Sequence, residues 1–128
     1  MTIPPPLLDS ARLQTLIQDV GQDVLMALIQ EFLATDYETP LKTLTTQSPQ
    51  QQRETLHGLK GVAANMGAVA LVDACCQLSQ RAQITPEDQA YILRILGDTR
   101  GVVERGVKNS SIGYSDRNVL NMFQVKKP

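Results

Sequence analysis

The chain has 128 residues, 42% hydrophobic and 20% charged, with a formal net charge of −1, the size and balance of one globular domain with a real core. That charge argues against a nucleic-acid binder, which usually shows a basic stripe, and no apolar run approaches the roughly 20 residues of a membrane span. The start MTIPPPLL lacks the basic region and long apolar stretch of a signal peptide, and the adjacent Cys75 and Cys76 cannot staple distant segments, which fits a reducing, cytosolic compartment.

Few aromatic residues and many Leu, Ala, Gln and Glu point to helices rather than strands. After a leader ending in Pro4-Pro5-Pro6, Asp9 or Ser10 offers an N-cap. Leu13, Leu16, Ile17 and Val20 then recur at helical spacing, and Gly21 closes this short first helix. A second helix begins near Gln22 with an apolar stripe of Val24, Leu25, Leu28, Ile29, Phe32 and Leu33. The stripe resumes at Leu41 and Leu44, so the expectation is one long helix, kinked at Pro40 and ending near Gln47.

Ser48-Pro49-Gln50-Gln51 reads as a capping box with proline at the first helical position, opening a third helix to Met66 with Gly67 as its C-cap. A fourth helix spans Ala68 to about Ala82, with Leu71, Cys75, Leu78 and Ala82 facing inward. Thr85-Pro86-Glu87-Asp88 repeats the capping device and opens a fifth helix carrying Ile92, Ile95, Leu96, Thr99, Val102 and Val103. From about Lys108 the pattern fades into a loop, then a tail, unstructured or forming one short helix. The expected fold class is all-α: an antiparallel up-down four-helix bundle with an additional short N-terminal helix, occupying residues 1–107, and a C-terminal tail, 108–128.

The segment Arg53 to Ala68, RETLHGLKGVAANMGA, carries the chemistry. At about 100° per residue, Leu56, Leu59, Val62, Ala63 and Met66 share an arc opposite His57, which places the only histidine at the middle of the solvent face. Gly61, Ala64, Lys60 and Arg53 neighbour it, and Gly58 flanks it on the other side. Two glycines inside a helix cost about 1 kcal/mol each relative to alanine, so something must offset them. Small residues leave the ring open to another protein, and a cation one turn away can steady a phosphoryl group. Neutral imidazole is a nucleophile able to hold a phosphoryl group covalently. With neither a Gly-rich nucleotide loop nor a carboxylate cluster for a metal, the chain reads as one half of an active site.

His57-Gly58-Leu59-Lys60-Gly61, then Ala63, Met66-Gly67-Ala68 and Leu71, resembles the histidine-containing phosphotransfer (HPt) domains of phosphorelays. Their pattern is His, any residue, Leu, Lys, Gly, two small residues, then a hydrophobic residue before Gly-Ala; Cys75 and Leu78 fall where it continues. The motif covers about 22 residues, and the helical layout extends the likeness to roughly residues 8–107. The resemblance implies that His57 accepts a phosphoryl group from a receiver-domain aspartate and passes it to a response-regulator aspartate, with Lys60 neutralising charge and Gly61 allowing close approach. It implies no cofactor on this chain, Mg²⁺ on the partner receiver, and a monomer without autonomous kinase activity. The implied partners are receiver domains of a hybrid sensor histidine kinase and of a response regulator, with no nucleic acid and no direct membrane contact. The setting it implies is cytoplasmic, either free-standing or as the C-terminal part of a membrane-anchored hybrid sensor kinase.

Gly58, Ala64 and Arg53 belong to the expected docking surface, and Leu13, Leu16 and Ile17 are assigned to an apolar docking patch. Two positions depart from the pattern: Val62 replaces a small residue, and Ser79 stands where relatives often carry Glu or Gln beside the imidazole. The competing readings are a non-catalytic helical adaptor that binds receivers and a metal- or thiol-dependent enzyme using His57 with the cysteine pair. Without CxxC spacing the second has little support.

Overall fold

The computed structural model describes residues 5–110, with side chains to 107, and among these every regular element is helical. Helix α1 (Ser10–Val20) starts where the Asp9 carboxylate accepts from the N–H groups of Ala11 and Arg12, at 3.0 and 3.4 Å. Gly21, at φ +87°, is the single residue between α1 and α2 (Gln22–Ala34) and makes the turn that other residues resist.

The expected long, kinked helix is instead two helices. Chain direction breaks at Thr35, which is extended, and helix resumes only at α3 (Glu38–Lys42), followed by a 3₁₀ turn at Leu44–Thr46. Proline accounts for the offset. In a continuous helix Pro40 would crowd the Asp36 carbonyl and could not bond to it. In α3 it falls in the first turn, where its missing N–H has no intrahelical partner to lose. The Asp36 carboxylate accepts from both the hydroxyl and the N–H of Thr39, at 2.6 and 3.1 Å, bonds that hold its carboxyl below the usual pKa.

Helix α4 (Pro49–Ala64) opens with the expected capping box: the Gln51 N–H donates to the Ser48 hydroxyl, and the Ser48 N–H donates to the Gln51 side chain. It closes in a Schellman turn, with the Ala68 N–H bonded to the Ala63 carbonyl and the Gly67 N–H to Ala64. Gly67 sits at φ +71°, and a Cβ there would lie 3.3 Å from Leu13. Helix α5 (Val69–Ser79) buries Leu71, Cys75 and Leu78, but ends before Ala82, which is exposed rather than inward-facing. Helix α6 (Pro86–Ser110) is capped reciprocally by Thr85 and Asp88 and runs on past Lys108, where the sequence pattern fades. The tail beyond 110 lies outside the described residues.

Helix α4 packs on α5, α5 on α6, and α2 and α3 also pack on α6. The core they enclose includes Phe32, Leu41, Leu44, Leu56, Leu59, Leu78, Ile92 and Leu96. Helix α1 is pinned to the α4–α5 turn through the Asp9 N–H to the Gly67 carbonyl (3.0 Å) and the Ala70 N–H to the Pro6 carbonyl (3.1 Å). Gly67→Ala meets both a strained φ and Leu13, so it should destabilise the fold by about 1–3 kcal/mol. Urea denaturation checks this; an unchanged midpoint would show that the turn relaxes freely.

Candidate phosphoryl-acceptor site

His57 lies in the middle of α4 and is exposed, while Leu56, Leu59 and Ala63 on the same helix and Met66 just beyond it are buried in the core. The wheel therefore places the imidazole correctly. Among the described residues no hydrogen-bond partner or ion pair holds its ring. Arg53, Gly58, Lys60 and Gly61 are exposed around it, and Ala64 is half-buried.

Among the described residues nothing requires these two positions to be glycine. A Cβ at Gly58 or at Gly61 would meet nothing within 4 Å, although each glycine costs the helix about 1 kcal/mol relative to alanine. Lys60 lies toward α5: its positive charge acts on the Cys75 thiol, opposing burial and the neighbouring Cys76, which together push that thiol up to about 12. Cys75 is thus a protonated core residue near neutral pH, poorly suited to thiolate chemistry. Among the described residues no three His, Cys, Asp or Glu side chains gather to hold a metal.

The departures from the motif have structural outcomes. Val62 is half-buried and, with Leu28, Glu31, Phe32, Tyr37 and Asn65, lines a cavity of about 210 Å³ between α2 and α4. The Ser79 hydroxyl donates to the Cys75 carbonyl at 2.7 Å, so it is engaged by its own helix.

The apolar patch needs correction. Leu13 is fully buried and Leu16 nearly so, because α1 packs down on the Gly67 turn; only Ile17 of the three is half-exposed. Exposed apolar surface lies instead at Val20 and Val24, 42% and 49% accessible, which their helical spacing assigned to the core stripes. Both flank Gly21, where the turn between α1 and α2 carries them past the edge of the core. Leu28, one turn on from Val24, reaches the cavity beside Val62. The cavity beside Val62 was not visible in the sequence; one of its walls is Tyr37, just past the helix break, whose ring stacks on Phe32 at 5.7 Å.

The fold is thus an all-helical bundle that presents an imidazole, without a hydrogen bond among the described residues, at the centre of one exposed helix face. The family model described as Hpt domain matches residues 11–100, and the chain belongs to that family, whose members are phosphotransfer intermediates of phosphorelays and interact with receiver domains. Comparison with curated proteins and with solved structures returned no match. Among the described residues no helix is long and apolar enough to cross a membrane.

Proposed function

We propose that this chain relays a phosphoryl group through His57. A ring nitrogen attacks the phosphorus of a receiver aspartyl phosphate, forming an N–P bond as the acyl O–P bond breaks; attack by a response-regulator aspartate reverses the exchange. Lys60 neutralises charge on the transferring group, and Gly61 admits the donor closely. The receiver supplies Mg²⁺, and this chain acts as a cytoplasmic monomer without autonomous kinase activity. Gly58, Ala64 and Arg53 form the surrounding docking surface, with Ile17, Val20 and Val24 as its apolar extension.

The observation that carries this reading is the imidazole's position: exposed, without a bond among the described residues, and accompanied by two glycines whose smallness no described residue requires. Incubation with a phosphorylated receiver domain and Mg²⁺ should yield acid-labile label on the chain. Several receivers giving no label, despite an intact fold, would leave a non-catalytic adaptor. Lys60→Ala should slow transfer on the order of tenfold, the equivalent of about 1.4 kcal/mol in the barrier, without abolishing it. An unchanged rate would remove Lys60 from the mechanism.

A further inference from the structure

Gly58 occupies a position that the HPt pattern leaves open, yet it is the residue that opens the surface beside His57. With Tyr37, Pro40, Leu41, Glu54, Thr55 and Leu59 it lines a cavity of about 220 Å³ between α3 and α4. The walls are largely apolar, and their polar groups are mostly spoken for. Thr55 donates to the Gln47 side chain at 3.0 Å, and Gln47 in turn donates to the Pro40 carbonyl at 2.8 Å. Glu54 differs: its carboxylate is exposed, receives one 3.3 Å hydrogen bond from Gln50, and has no cation in ion-pair range among the described residues.

We propose that this cavity is a specificity pocket for one long cationic side chain, arginine or lysine, of the partner receiver domain. Its aliphatic stem would lie against Tyr37, Pro40 and Leu59, and its charged head would reach Glu54 at the rim, as amphipathic side chains do at apolar surfaces. Volume and charge both favour this occupant: an apolar slot able to take one large side chain, bordered by a carboxylate with no ion-pair partner among the described residues. Gly58 keeps the slot open. Gly58 lines the slot and a Cβ there would meet nothing within 4 Å, so a larger side chain has room to cover its mouth.

The inference rests on the relay reading, and the experiment separates the two. Initial rates of transfer are measured against concentration of a phosphorylated receiver domain that labels the unmodified chain, using Gly58→Leu and Glu54→Lys. Gly58→Leu should raise KM for the receiver about tenfold while raising Tm by a few degrees, because leucine is the better helix former. Glu54→Lys, at an exposed position, should raise KM by a similar factor. Alanine replacement of the receiver's exposed Arg and Lys residues should identify one whose effect disappears in the Glu54→Lys background. KM within twofold of the unmodified chain for both variants would overturn the pocket. A rise with Gly58→Leu alone would overturn the cationic occupant. Failure of every receiver to label the unmodified chain would instead defeat the relay reading itself.

Discussion

Replacing His57 with glutamine should abolish phosphoryl acceptance while leaving the helical circular-dichroism signal and the unfolding midpoint nearly unchanged. The two halves of this expectation have separate causes. An amide nitrogen has no available lone pair with which to attack phosphorus, so acid-labile label should fall to background. The fold, however, draws nothing from the imidazole: the ring is exposed, and no bond among the described residues depends on it. Glutamine is also a good helix former, so stability should stay within about 0.5 kcal/mol. Label transfer with paired urea denaturation measures both. Retained label would mean that another side chain is the acceptor. Loss of cooperative unfolding would mean that the ring has a packing role at odds with its exposure.

What the sequence made legible was local. Ser48 with Gln51 and Thr85 with Asp88 announce two helix starts, because all the bonds of each capping box lie within four residues. The face of His57 was equally readable, since one helix's periodicity decides it. The break at Thr35 was not: its carbonyl partner is Arg100, 65 residues away, and no local rule foresees that contact. Leu13 was legible as apolar but not as core, because its burial depends on where α1 meets Gly67. Val20 and Val24 erred the other way, since helical spacing describes a stripe without saying how far the neighbouring helices extend to cover it. The slot beside Gly58 belongs to this second kind. Its glycine cost could be read directly, whereas its walls come from two helices joined by an irregular turn.

Arg100→Ala should lower stability by about 2–4 kcal/mol, seen as a lower urea midpoint with little change in slope. The guanidinium donates to the carbonyls of Leu33 and Thr35, each at 2.9 Å, and so caps the end of α2 from across the bundle. It also donates to Glu38 at 3.2 Å and stacks 5.1 Å from the centre of the Phe32 ring. Its Nε lies 2.9 Å from the same carboxylate but off line for a hydrogen bond, so that contact is ionic. The arginine side chain is only 16% exposed, and alanine would strip several groups of a partner at once in a place where water replaces it poorly. Arg100→Lys should recover little, because one ammonium cannot span two carbonyls and a carboxylate with a planar fork. Glu38→Gln is the discriminating control. Its side chain is 35% exposed, so losing that charge should cost less than about 1 kcal/mol while both carbonyl contacts persist. Equal losses for Arg100→Ala and Glu38→Gln would mean that the ion pair, and not the capping of α2, holds the break between α2 and α3 together.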